Sequence, residues 1–376
     1  MPQRGNTISY MDLQGADYME KQRISDVRIA MVYIGTVVGA GFATGQEILQ
    51  FFVAFGIPGL WGILLSTVLF VLYGVLIMKL GMKTAAVSHR EMLATVGGSL
   101  FRTGMDALIL ISLFGALTAM LAGTGALLVQ QLGLNPALGG AIMGVLTVLT
   151  VLRGLRGVIG AISMVVPFLL VAVVGVCVFV LLDGGLNLQA WSGGRSGSVA
   201  PAGFVGNWLW AAVLYGAYNI LMSAAVLAPL GAEAADRRAI FRGGALGGIG
   251  LGAASLMIYL AISAGQSDVT GLEVPMLYLA GRISPVAEAL FSLVLLAEVY
   301  TTAVGALYGL SARLTAGRRQ DAAPTRLIVG ITCAAFGASL LGFSNLVRYL
   351  YPLQGYGGVV FLMALGFARW RERGRI

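Results

Sequence analysis

Of 376 residues, 58% are hydrophobic and only 11% charged, and the mean hydropathy is +0.88. Soluble domains carry about 25% charged residues, so a water-soluble globular core is excluded and a polytopic membrane protein is expected. The net charge of +8 does not point to nucleic acid, because the basic residues fall in short loops between apolar segments, the positive-inside pattern.

The first 25 residues are polar and include Asp12, Asp17, Glu20, Lys21 and Arg23. No charged-then-apolar leader with a cleavage site precedes the first span, so residues 1–25 are expected to form a cytoplasmic tail. Ten apolar spans follow: Ile29–Phe55, Gly59–Met82, Ala107–Gln131, Ala137–Leu152, Val158–Leu182, Val205–Leu230, Ala245–Ala264, Val286–Leu314, Leu327–Leu346 and Tyr351–Phe367. Most reach the roughly 20 apolar residues that a spanning helix needs. With the N-terminus inside, the inner segments hold 21 of the 24 basic residues and the outer ones only Arg195, Arg282 and Arg348. Adding or removing one span scrambles that alternation, so both termini are expected in the cytoplasm, with the protein in a bacterial-type inner membrane.

The first span is unusual. Tyr33 to Gln50 carries Gly35, Gly39, Gly41 and Gly45 together with Thr36, Thr44, Gln46 and Glu47. Glycine lets a backbone leave helical geometry, and polar residues at membrane depth are expensive and functional by default. From Arg28 to Gly39 is 11 residues, about 17 Å of helix and roughly half of a ~30 Å hydrocarbon core. A helix broken there places a site at the midplane, as in secondary transporters. The spacing alone also fits small-xxx-small packing, which does not account for the polar residues. If the helix breaks, the N–H groups of Gly41, Phe42 and Ala43 open the outer half-helix toward an anionic group, and the carbonyls of Gly35 and Val38 end the inner half facing a cation. Glu47, six residues beyond Gly41, is expected about 9 Å up the outer half-helix. It either meets a cationic substrate group or a coupled proton, or faces a wet outer vestibule, or braces a neighbouring helix.

Two loops carry their own patterns. Lys83–Met105 has room for a short interfacial helix. The segment Gln266–Pro285 contains VPMLYLAG, too short to span, which is either a lid over an outer vestibule or an ordinary ordered loop. The sixth span has a second interruption signal, Leu214-Tyr215-Gly216-Ala217-Tyr218-Asn219, whose Gly216 lies 177 residues after Gly39. Five spans per half invert the second half relative to the first. Paired interruptions in inverted halves point to a transport site. The expected organisation is a five-span repeat over 26–182, a loop at 183–204, and a second repeat with a short tail over 205–376. In the eighth span Glu298, Thr301, Thr302 and Gly305 share one helix face. Threonine hydroxyls there either bond back to their own helix or, beside free carbonyls, offer oxygens to a small hard cation. Glu298 offers its backbone oxygen to an ion or takes a proton on its side chain.

Other chemistries lack residues. Cys177 and Cys333 lie 156 positions apart inside apolar spans, and His89 is the single histidine, so a zinc site of the usual kind is excluded. Gly39-Ala-Gly41 has neither the third glycine nor the preceding strand of a dinucleotide fingerprint. No nucleophile–base pair appears, so no enzyme, organic cofactor or obligate protein partner is expected.

GTVVGAGFATGQEILQFF, Gly35 to Phe52, resembles the first-span signature of the YkvI-type family of bacterial membrane proteins. Leu214–Asn219, Tyr300–Gly305 and the span count extend the match along the chain. That family is similar to the amino acid–polyamine–organocation superfamily. The resemblance implies an all-α membrane protein with a LeuT-like 5+5 inverted repeat of ten helices, broken in the first and sixth. Carried over to this chain, it implies that the carbonyls of Gly35, Val38 and Glu298 and the hydroxyls of Thr301 and Thr302 bind sodium. It implies that Gly216 marks the unwound centre of the sixth helix, and that Tyr215, Ala217, Tyr218 and Asn219 line a cavity. Thr36 and Phe42 stand where sodium symporters carry asparagines, a departure at the substrate-adjacent ion site. Thr36, Gly39, Gly41, Phe42, Ala43, Thr44 and Glu47 complete the expected substrate site. The implied function is a symporter of a small organic solute, an amino acid or related amine, driven by Na⁺ or H⁺. Spans 1, 2, 6 and 7 would rock against the rest. The alternative is a ligand-sensing receptor on a transporter-like fold, without net transport.

Overall fold

The computed structural model describes residues 24–86, 89–153, 165–184, 201–264, 269, 271–315 and 324–373. The expected tail, the start of the fifth span and most of the loop 183–204 lie outside the described residues. Within them the chain is helical, with one isolated bridge, Ile24 to Ala234.

The first apolar span is divided into pieces. Helix α1, Asp26–Val37, opens on Ser25, whose side chain accepts from the Arg28 N–H, and stops at Val38. Val38 and Gly39 are extended; α2, Ala40–Ala43, follows. Gly45 then takes φ +79° and starts α3, Gln46–Phe51. A side chain at Gly45 would be strained by that backbone and would also meet Ile262 Cδ1 at 2.8 Å.

The remaining helices are mostly long. They are α4 Ile57–Thr84, α5 His89–Val96, α6 Ser99–Leu132, α7 Pro136–Leu152, α8 Val165–Gly184, α9 Trp208–Glu233, α10 Arg237–Ala264, α11 Pro275–Ile283, α12 Pro285–Leu314, α13 Thr325–Ser339, α14 Phe343–Asn345 and α15 Tyr351–Arg373. A π turn at Leu346–Leu350 joins the last two. Helix starts follow local chemistry: Asn135, Asn207 and Ser284 each accept a backbone N–H with the side chain, and Pro136 and Pro285 sit in the first turn, where a missing N–H costs nothing.

Among the described residues, six helices are long and apolar enough to cross a membrane, and four shorter apolar segments accompany them. The short ones have physical reasons. The first span is cut at Val38 and Gly45. α7 has 17 residues and α13 has 15. The expected short helix between the second and third spans is α5, and the loop after the seventh span contains α11.

Packing uses backbone-to-backbone approach. A Cβ on Gly81 of α4 would lie 1.9 Å from the Ala228 carbonyl oxygen of α9, and one on Gly231 of α9 would lie 2.0 Å from the Met78 carbonyl oxygen of α4. Only glycine permits that reciprocal contact, the small-residue device of membrane helices. Leu64, Val68 and Leu72 on α4, Ile142, Val145 and Leu149 on α7, and Leu290 and Leu293 on α12 are exposed. Such all-round apolar helices belong in lipid, and the chain is a multi-pass membrane protein.

Candidate functional site

The interruption in the first span leaves backbone groups open. The Val38 N–H still reaches the Ile34 carbonyl, at 2.8 Å, but among the described residues no backbone N–H reaches the carbonyls of Gly35 or Val38. On the other side the Ala43 N–H donates to the Gly39 carbonyl at 2.9 Å, which corrects the expectation that Ala43 stays open beside Gly41 and Phe42. The four residues of α2 are too few to build a macrodipole of the usual size.

Glu47 is not up the helix from Gly41. The left-handed turn at Gly45 folds α3 back, and a Cβ on Gly41 would lie 2.0 Å from Glu47 Oε1. The carboxylate therefore occupies the space beside the start of α2. It is 5% exposed, its Oε2 accepts a short hydrogen bond from the Tyr218 hydroxyl, and no described Lys, Arg or His pairs with it. Thr44 closes the turn locally, donating to the Gly41 carbonyl at 3.0 Å and accepting from the Gln46 N–H at 3.3 Å. Thr36 is half-buried and bonds back to Val32 O at 2.7 Å.

The sixth span is not broken. α9 runs without interruption through Leu214–Asn219, which corrects the expected unwound centre. The glycine has a packing reason instead: a Cβ on Gly216 would lie 2.9 Å from Leu69 Cδ1 on α4. Ala217 is closely approached by Gly358 of α15. Asn219 Nδ2 donates to the Tyr215 carbonyl of its own helix at 3.1 Å. Of that stretch only Tyr215 and Tyr218 reach the first-span site. Their rings lie 5.6 Å apart, and Phe51, Phe52, Phe70 and Tyr351 surround them at 4.8–6.0 Å.

The eighth-span residues form a separate group on α12, which packs against α2. Thr301 Oγ1 donates to the Glu298 carbonyl at 3.0 Å, and Thr302 Oγ1 to Glu298 Oε1 at 3.3 Å. Glu298 is 3% exposed, and its Oε2 is buried without a partner. Among the described residues no hydrogen bond joins this group to Glu47, and no cluster of three His, Cys, Asp or Glu residues exists. A cation held at Glu298 would use its carboxylate together with hydroxyl and carbonyl oxygens.

Several residues at the site carry weak sequence signals. Gln46 and Gln50, one turn apart, lie on the same face of α3. Gln46 Nε2 donates to Ser344 Oγ at 2.8 Å and Gln50 Nε2 to the Ser344 carbonyl at 3.1 Å. Glu273 accepts from the Ser344 N–H at 3.3 Å. Burial pushes the Glu273 carboxyl up, and the N–H groups of Ser344 and Phe343 act against that. The loop carrying Glu273 also bonds down: Met276 N–H to the Thr44 carbonyl at 3.0 Å, and Gln130 Nε2 to the Val274 carbonyl at 3.2 Å. α11 thus lies against the Thr44–Gly45 turn. Beside it a cavity of about 450 Å³ is lined by Gln130, Asn135, Glu273 and Ser339. At the other end of the bundle Arg313 and Asp106 form a close ion pair, with His89 Nε2 3.5 Å from the same carboxylate oxygen.

No family model matches the chain. The Eremococcus coleocola manganese transporter, solved with an aromatic bis-isothiourea compound, superposes with a TM-score of 0.61 at 14% identity, over 97% of this chain and 80% of that one. MhsT in complex with L-phenylalanine gives 0.57 at 15% identity, over 84% and 79%. A Na⁺-coupled sialic acid symporter gives 0.57 at 14% identity, over 89% and 76%. The chain therefore has the LeuT-like fold. The uncharacterised membrane protein YkvI of Bacillus subtilis is 32% identical over 351 residues, 92% of this chain and 97% of its own length. By that likeness the chain belongs to the YkvI family of membrane proteins.

Proposed function

We propose that the protein is a secondary active transporter, a symporter that carries a small organic solute, an amino acid or related amine, with Na⁺ or H⁺. The observation that carries this reading is the interruption at Val38–Gly39. Backbone at membrane depth leaves the helix only where it is buried in protein or lines a wet cavity, and here two carbonyls are left without donors beside a helix bearing Glu298, Thr301 and Thr302. In this reading Gly35, Val38, Glu298, Thr301 and Thr302 hold the coupling cation, or Glu298 takes the proton. The solute sits among Gly39, Gly41, Phe42, Glu47, Tyr215 and Tyr218. Ten spans run as two five-span repeats, 26–182 and 205–376, in a bacterial inner membrane with both termini cytoplasmic. The Gln46, Gln50, Ser344 and Glu273 bonds then lie on the outer side. α11 is the lid, and this conformer is closed to the outside. No covalent step is required of the chain.

Reconstitution into proteoliposomes tests the reading. Uptake of an amino acid or amine against its gradient, driven by an imposed Na⁺ or H⁺ gradient, is the expected result. Saturable binding without accumulation under either gradient sinks the symporter and leaves a ligand-sensing receptor.

A further inference from the structure

Resting on the transporter reading, we propose that Glu47 is the counter-ion for an organic ammonium group, that its aromatic surround receives that cation, and that the Tyr218 hydroxyl holds the place of the substrate's N–H donor in the empty protein.

The first support is what the carboxylate lacks. Glu47 is buried, and among the described residues the one hydrogen bond to its carboxylate comes from a neutral phenol. A buried carboxylate without a cation is unfavourable unless it is neutralised. No Lys, Arg or His among the described residues does this. The second support is the wall. Phe51, Phe52, Phe70, Tyr215, Tyr218 and Tyr351 form one continuous aromatic cluster, and Tyr215, Tyr218 and Tyr351 all lie within electrostatic reach of the carboxylate. Aromatic faces attract alkylammonium ions and have no such affinity for carboxylates. Tyr215 Oη lies beside Ser255 Oγ; both are buried, and neither makes a hydrogen bond of good geometry.

The third support concerns sign. An anionic substrate group would need the start of α2, and Glu47 Oε1 already fills the space that a Gly41 side chain would take. A ligand carboxylate there would meet the Glu47 oxygens in place of a free N–H group. The geometry selects the ammonium end of a ligand, whether the ligand is a simple amine or an amino acid. Binding the ammonium displaces the Tyr218 hydroxyl. The bond that breaks joins α3 to α9.

The test uses the purified full-length protein and probes that share one side chain. 2-Phenylethylamine, 3-phenylpropionate and L-phenylalanine form one set; isoamylamine, isocaproate and L-leucine form another; tetramethylammonium is added as a bare cation. A ligand that binds the native state raises the unfolding midpoint. The expected result is stabilisation by amines and amino acids and none by the two acids. Glu47→Gln should weaken apparent amine affinity at least tenfold, and Tyr218→Phe, which removes the competing donor, should strengthen it a few-fold. A Glu47 that only braces α3 against α9 predicts a lower midpoint in both variants with unchanged amine affinity. That outcome, a response to the acids, or silence from every amine overturns the proposal. The responding probe is then tested for uptake. Glu47-dependent binding without accumulation sinks the transporter and keeps the ammonium site. Concentrative uptake of an acid, indifferent to Glu47→Gln, does the reverse.

Discussion

Glu47 and Glu298 are two carboxylates inside apolar spans, each almost fully buried, and their surroundings differ in kind. Glu47 has Tyr215, Tyr218 and Tyr351 near it and is held by one phenol. Glu298 has two threonine hydroxyls beside it, one on its side chain and one on its own carbonyl, and an oxygen with no partner. Aromatic faces suit a large, weakly hydrated organic cation. A cluster of hydroxyl and carbonyl oxygens suits a small hard one. Under the proposed function these chemically identical side chains take different cargo; Glu47 lies on α3, after the first-span interruption, and Glu298 on α12, which packs against α2.

The strongest way to break this contrast is to strip the Glu298 group. Glu298→Gln combined with Thr301→Ala and Thr302→Ala is expected to reduce cation-driven uptake about 100-fold, roughly 2.7 kcal/mol, while thermal stabilisation by amines persists. If Na⁺ is the driver, the two threonine changes alone remove the Na⁺ dependence. If H⁺ is, Glu298→Gln alone leaves uptake indifferent to pH. Loss of amine stabilisation in the triple variant would show that the two groups are one site. Gly41→Ala should come next. Its Cβ needs the place of Glu47 Oε1, so the carboxylate must leave Tyr218, and a roughly tenfold loss of amine affinity, about 1.4 kcal/mol, is expected with cation dependence intact.

Smaller effects should follow from the bonds over the break. Ser344→Ala with Gln50→Leu removes hydrogen bonds each worth about 1 kcal/mol. Faster amide exchange through residues 276–283 is the measurement; unchanged protection would mean that the Thr44 and Gln130 bonds hold α11 without help from the Ser344 contacts. The smallest effect concerns Glu273. Its carboxyl is raised by burial, so the native protein binds a proton more tightly than the unfolded chain. Stability should fall as pH rises from the ordinary carboxylate value to the raised one. Glu273→Gln, which keeps an acceptor for Ser344, should flatten that dependence in a pH series of unfolding midpoints.

Composition and glycine placement marked the first span, because a run of glycines and polar residues in an apolar segment has few physical readings. The same cue misled at Gly216. A glycine that permits close helix contact and one that permits an unwound turn look alike until its neighbour is known, and here the neighbour is Leu69. Polar residues that meet only through the fold were harder still. Gln50, Glu273 and Ser344 lie in three distant segments, and nothing local distinguishes Ser344 from any other helix-start serine.

Hydropathy and the spacing of basic residues, which act on each segment by itself, determined a multi-pass all-helical membrane protein with a disturbed first span. Tertiary structure decided which way Glu47 turns, that α9 stays whole, and which distant side chains close over the break. Those outcomes depend on left-handed φ at one glycine and on contacts between residues more than 100 positions apart, and neither is a property of any single stretch of chain.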